Sequence, residues 1–295
     1  NDNIRTADND DIVNLNDGND FVDVFAGFDH ADGGAGHDGI SANYAAETLA
    51  IHWNLQTNSY SEGADGTASD RCAFANFEYS GTLTTGSGND VTATRGSYNS
   101  ETVNPGAGDD RVTFVSGDDS YNAGSGTDTL VIDWSWSGYG ADTQSAPDGT
   151  AAGGYAGRYR IGATNNFVTY SGVERFEIGA TQGNDTIRTG DNDDIVNLND
   201  GDDFVAIGKG YDHADGGAGH DGITADYAAD TLAITWNLQT NVYFEGSDGA
   251  ANDRRAFANF EYFGELATGS GDDVIVTRGS YNSETIRTGL GNDRV

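Results

Sequence analysis

The residues in this chain best placed to do chemistry are acids at a fixed spacing. From Ala180 the sequence reads ATQGNDTIR, TGDNDDIVN, LNDGDDFVA, IGKGYDHAD, GGAGHDGIT without a gap, and the sixth place is always acidic: Asp185, Asp194, Asp203, Asp212 and Asp221. The same frame at the start of the chain places Asp2, Asp11, Asp20, Asp29 and Asp38. A run from Gly96 places Glu101, Asp110, Asp119 and Asp128; single turns carry Asp90 and Asp273, and the last run carries Glu284 and Asp293. The eighth place is apolar (Ile187, Val196, Val205, Ala214, Ile223), and the fourth is Gly or Asn (Gly183, Asn192, Gly201, Gly210, Gly219). Gly and Asn take positive φ most readily. Each nonapeptide is therefore predicted to turn tightly at its fourth residue, present an acid, and run on as a minimal strand whose eighth residue points inward.

Two nonapeptides would close one coil with a strand on each side, and coils would stack with acids 18 residues apart in register. At a strand spacing of roughly 4.7–4.9 Å, stacked anions repel unless a cation lies between them. A hard divalent ion with oxygen ligands suits carboxylates and loop carbonyls, and calcium tolerates irregular geometry better than magnesium. The predicted pairs are Asp2 with Asp20, Asp20 with Asp38, Asp11 with Asp29, Glu101 with Asp119, and Asp110 with Asp128. In the later run they are Asp185 with Asp203, Asp203 with Asp221, and Asp194 with Asp212. Asp230 has no such partner, which makes it the expected neutral comparison.

This nonapeptide resembles the haemolysin-type calcium-binding (RTX) repeat, GGxGxDxUx with U a large apolar residue, most closely at "GGAGHDGIS" from Gly33 and "GGAGHDGIT" from Gly216. The resemblance covers about half of the chain. It implies a calcium-bound, right-handed parallel β-roll, an extracellular location and type I secretion. Gly-Gly opens only those two turns, and Glu101 and Glu284 replace Asp.

The elements that would position these acids come in a longer repeat. Residues 1–112 align without gaps to 184–295, and counting along the two stretches gives 83 identities in 112. The chain opens mid-pattern and is expected to be a stretch of a longer tandem array. The reading is all-β: roll blocks at 1–41, 85–131, 180–224 and 268–295, separated by β-hairpin inserts at 42–84, 132–179 and 225–267. In the first insert Leu49, Ile51, Trp53 and Leu55 alternate with polar or small residues, a half-buried strand pattern. A polar Gly/Asp/Ser stretch follows, and then "AFANFEY", whose Phe74, Phe77 and Tyr79 are expected to cover the open side of the roll. Trp134 and Trp136 with Tyr139 are expected to cap the apolar column, with stacking on a sugar ring as the second reading.

Composition narrows the function. With 14 Lys plus Arg against 48 Asp plus Glu the net charge is −34, which excludes phosphate-backbone binding and opposes an anionic membrane surface. The lone Cys72 makes no internal disulfide and becomes Arg255 in the second copy. No run of about 18 apolar residues predicts a membrane span. The Gly34–Gly39 string matches a dinucleotide fingerprint, but no helix follows and the period of nine accounts for its glycines. His30, His37, His213 and His220 fall at variable loop places without a zinc motif and are expected to be exposed. No carboxylate pair lies in an apolar pocket of the kind that splits acidities for catalysis, and no nucleophile elbow or P-loop occurs. The expected function is non-enzymatic: a secreted, calcium-stabilised structural array serving as filament, adhesin shaft or surface layer. Its expected partners are calcium, further copies end to end, and extracellular glycans. The alternative is the calcium-binding accessory module of a larger extracellular enzyme.

Overall fold

A computed structural model describes residues 1–63, 72–96, 99–246, 254–279 and 282–295. The polar Gly/Asp/Ser stretch of each first-type insert lies largely outside them. Among the described residues there is no helix, hence none long and apolar enough to cross a membrane. The protein is all-β, and most of its strand pairs are parallel. It forms two compact units, one of Asn1–Ile132, Gly153–Arg158 and Thr164–Val173, the other of Asp133–Ala152, Tyr159–Ala163 and Glu174–Val295.

In the first unit the register follows the nonapeptide arithmetic. Strand Asn3–Arg5 pairs with Phe21–Val24, Asn3 opposite Phe21, and Phe21 in turn lies opposite Gly39. Ile12–Asn14 pairs with His30–Asp32 in the same 18-residue step. Val91 lies opposite Arg111 and Thr82 opposite Thr102, so the coil that begins at the turn of Asp90 is 20 residues long. The inward column is fully buried at Val22, Ile40, Leu83, Val103, Val112 and Leu130. Each such side chain contributes about 1.5–3 kcal/mol by leaving water.

The second unit repeats this arrangement. Thr186 pairs opposite Phe204, Phe204 opposite Gly222, Ile195 opposite His213 and Glu177 opposite Ile195. Its column runs through Ile178, Ile187, Val196, Val205 and Ile223.

The first-type insert forms an antiparallel hairpin whose first strand stays in the stack, Ile51–Asn54 lying parallel to Val91–Ala93 and Ile234–Asn237 parallel to Val274–Val276. Ile51–Asn54 pairs with Ser59–Glu62, and Ile234–Asn237 pairs with Val242–Glu245. The chain then rejoins the stack through Ala73–Ala75 beside His30–Asp32 and Tyr79–Gly86 beside Gly39–Asn43. Phe74 and Phe77 are buried as expected. Phe74 stacks on Trp53 at 4.6 Å, with Tyr60 edge-on to the indole at 5.3 Å, and Trp236 with Phe257 repeats the stack at 4.5 Å.

Two expectations need correcting. The fourth-place glycines take positive φ as expected, as at Gly108 (129°), Gly117 (135°) and Gly201 (138°), but the fourth-place Asn9 and Asn192 do not, and further left-handed residues sit at the second place, in Asn16 (64°), Gly34 (88°), Asn199 (67°) and Gly217 (87°). The fourth place needs glycine for a second reason as well, because coils stack closely there. A Cβ on Gly36 would lie 1.4 Å from the carbonyl oxygen of Gly18, and one on Gly219 would lie 1.6 Å from that of Gly201. In the second-type insert, Trp134 is buried, but Trp136 and Tyr139 are 54% and 69% exposed and so do not bury themselves over the column as expected.

Candidate metal centre

Almost every ladder acid stands one residue before its strand, as Asp20 does before Phe21 and Asp203 before Phe204; Asp119 is the second residue of the strand Asp118–Asn122. From there the side chain turns in under the loop and receives the backbone N–H of the acid one coil earlier. Asp2 N donates to Asp20 Oδ1 at 2.5 Å, Asp20 N to Asp38 Oδ1 at 2.8 Å, and Asp11 N to Asp29 Oδ1 at 3.1 Å. Glu101 N donates to Asp119 Oδ1 at 3.1 Å, Asp90 N to Asp110 Oδ1 at 2.7 Å and Asp110 N to Asp128 Oδ1 at 2.9 Å. In the second unit, Asp185 N reaches Asp203 at 2.8 Å, Asp203 N reaches Asp221 at 2.9 Å, Asp194 N reaches Asp212 at 3.1 Å and Asp273 N reaches Asp293 at 3.0 Å. Every pair anticipated from the period of nine is thus brought into adjacent coils.

Burial separates the acids. Asp20, Asp29, Asp38, Asp90, Glu101, Asp110, Asp119, Asp128, Asp185, Asp194, Asp203, Asp212, Asp221 and Asp273 are buried. Asp2 is exposed, while Asp11, Glu284 and Asp293 are half-buried. A buried carboxylate with no partner carries a desolvation cost of several kcal/mol. For Asp20, Asp38, Asp110, Asp119, Asp203 and Asp221 that cost is unrelieved at one atom, because the second carboxylate oxygen has no hydrogen-bond partner.

The electrostatics follow. Burial, with the neighbouring carboxylates adding to it, pushes Asp110 up to about 7, Asp119 to about 9 and Asp203 to about 8. Asp221 is raised to about 6, again chiefly by burial with Glu261 beside it. Asp194 is held well above the ordinary carboxylate range by its burial. Either a proton or a cation would relieve these groups.

Calcium fits this donor set at the open oxygens. Among the described residues no three His, Cys, Asp or Glu side chains converge on one point. An ion requiring six to eight oxygens would therefore take carboxylates from the stacked acids and draw the remainder from backbone carbonyls. His30, His37, His213 and His220 are exposed as expected, but His30 and His213 open the strands His30–Asp32 and His213–Asp215 and are not loop residues.

The sequence reading missed residues that continue or close the columns. Asp38 N donates to Glu78 Oε2 and Asp221 N to Glu261 Oε2, both at 2.8 Å, so the Glu of each "AFANFEY" is the next rung after a detour of 40 residues. The available signal was position: Glu78 immediately precedes the strand that starts at Tyr79, as Asp20 and Asp203 precede theirs. Asp230 is not a neutral acid either. It lies 2.6 Å from the buried Arg255 guanidinium, which also binds Glu245 at 2.7 Å and covers the Tyr227 ring at 3.9 Å. No protein-family model and no curated protein matches the chain.

Proposed function

We propose that this chain is a secreted, calcium-stabilised structural repeat of the RTX kind, a segment of an extracellular filament, adhesin shaft or surface layer that folds when it meets calcium outside the cell. The observation carrying this reading is the set of buried carboxylates in Asp20, Asp38, Asp110, Asp119, Asp203 and Asp221, each accepting one backbone N–H and leaving its other oxygen open. Asp20, Asp38, Asp110, Asp119, Asp203 and Asp221 would hold the ions, whose contribution is charge neutralisation inside the stack. The near-identical second copy supports a role in building length, and stacked β-coils extend by adding like coils. The partners proposed are calcium, further copies of the chain end to end, and extracellular glycans that could stack on the exposed Trp136 and Tyr139.

An anionic chain of this density stays expanded until its charge is neutralised, which suits passage in unfolded form through a secretion channel. The test is circular dichroism of the full chain. In excess chelator the β signal should be largely absent at neutral pH and should return at millimolar calcium. β structure undiminished by chelation would overturn the reading.

A further inference from the structure

The ladder carboxylates divide by what reaches their second oxygen. In the interior coils nothing does, as at Asp20 and Asp203. At five acids near the inserts a group of the chain arrives instead, although Asp38, Asp119 and Asp221, which also border inserts, stay open. Tyr44 Oη donates to Asp29 Oδ2 at 2.8 Å, and Tyr227 Oη donates to Asp212 Oδ2 at 3.2 Å. Thr85 Oγ1 donates to Asp90 Oδ2, and Thr268 Oγ1 to Asp273 Oδ2 at 2.5 Å. Asp185 is enclosed by Thr181, whose N–H reaches Oδ2 at 2.8 Å and whose hydroxyl reaches Oδ1 at 2.6 Å.

A hydroxyl donating to a carboxylate makes a short, charge-assisted bond and occupies the place where a metal would approach that oxygen. A cation there would first have to displace it, and a displaced Tyr44 or Tyr227 hydroxyl would be stranded, since both side chains are 2% exposed. Burial also pushes both phenols far above their ordinary range, so they remain donors. In the second copy Arg255 adds a fixed positive charge over the Tyr227 ring. The same division appears in both copies, although the residue opposite Arg255 is Cys72 in the first.

We infer that Asp29, Asp90, Asp185, Asp212 and Asp273 form closed rungs, satisfied by hydroxyls or, at Asp185, by the N–H and hydroxyl of Thr181 near the insert boundaries, and that calcium enters only the rungs whose second oxygen is open. This rests on the calcium reading above. The inserts then serve as metal-independent brackets: each supplies or adjoins a group that closes a rung, so an insert sets how many ions the block beside it takes up.

The test counts calcium ions bound by the full chain at saturation, by native mass spectrometry with equilibrium dialysis as a check. Asp203→Asn should bind at least one ion fewer than the parent chain, whereas Asp212→Asn, which keeps the shape of the side chain, should bind the parent number. Asp20→Asn and Asp29→Asn repeat the comparison in the first copy, so failure of one variant to fold leaves the other pair to decide. Loss of ions in Asp212→Asn or Asp29→Asn equal to the loss in its open-rung counterpart would overturn the inference while leaving calcium binding intact. A parent chain that binds no calcium would instead overturn the calcium reading, and this inference with it.

Discussion

Asp203 shows what one ladder residue has to do. Its backbone N–H is spent on Asp221, its Oδ1 receives the N–H of Asp185, and its Oδ2 is buried and unpartnered. Asp203→Ala therefore removes a charge-assisted acceptor, leaves the Asp185 N–H buried without a partner, and takes a carboxylate from the stack. A lost hydrogen bond to a charged group is worth about 1.5–3 kcal/mol, or about tenfold or more in the calcium concentration at the folding midpoint. Asp148, which is exposed, is the appropriate comparison; Asp230 is unsuitable because of its ion pair with Arg255. Calcium titrations followed by tryptophan fluorescence should give a raised midpoint for Asp203→Ala and the parent midpoint for Asp148→Ala. Coincident midpoints for all three would show that acidity as such, and not the ladder, governs folding.

At the scale of loops and strands, the stack depends on how closely successive turns approach. Gly219→Ala would put a Cβ 1.6 Å from the Gly201 carbonyl oxygen, and only movement of the backbone could relieve the contact. Overpacking of this kind costs about 1–3 kcal/mol or more. Gly138→Ala meets nothing within 4 Å and should be neutral. Urea denaturation in calcium should separate the two, and equal midpoints would refute the close-stacking account. The second-copy insert is held differently, through Arg255 between Asp230 and Glu245. Removing one partner of a buried ion pair typically costs about 3–5 kcal/mol because the remaining charge is stranded. Arg255→Leu should therefore lower the urea midpoint more than any exposed charge substitution does, and a change within the scatter of surface variants would show that the network adds nothing.

For the whole molecule the governing quantity is the charge of −34. Without metal, protons are the remaining counter-ions. Asp221 near 6, Asp110 and Asp212 near 7, Asp203 near 8 and Asp119 near 9 all titrate in the folded chain above their ordinary 3.8. Between pH 4 and 9 the folded state therefore binds protons that the unfolded chain has released, and stability falls as pH rises through that window. The chelated protein should show more β signal and a higher thermal midpoint at pH 5 than at pH 8. Calcium added at pH 8 should reverse the difference and release protons, which calorimetry in buffers of different ionisation enthalpy would record. Chelated stability that is flat or rising from pH 5 to 8 would contradict the burial of these acids.

The all-β class, the 18-residue register, the inward apolar column and the adjacency of each ladder pair were all readable in the sequence, because a strict period of nine expresses local geometry. A turn, an acid and a three-residue strand recur at fixed offsets, and stacking equal coils then follows from the offset alone. The fourth-place glycines and their positive φ were readable locally, but their second constraint was not: the carbonyl one coil below is a contact no local rule contains. Glu78 and Glu261 escaped notice because their rungs follow 40-residue detours, and the 20-residue coil beyond Asp90 escaped because its length breaks the period. Only the tertiary structure distinguished open from closed carboxylates. Asp203 and Asp212 are alike in the repeat, and what separates them is a tyrosine hydroxyl delivered by an insert 15 residues further on. Satisfaction of a buried oxygen depends on which group arrives in space, and that is decided by where the chain returns to the stack.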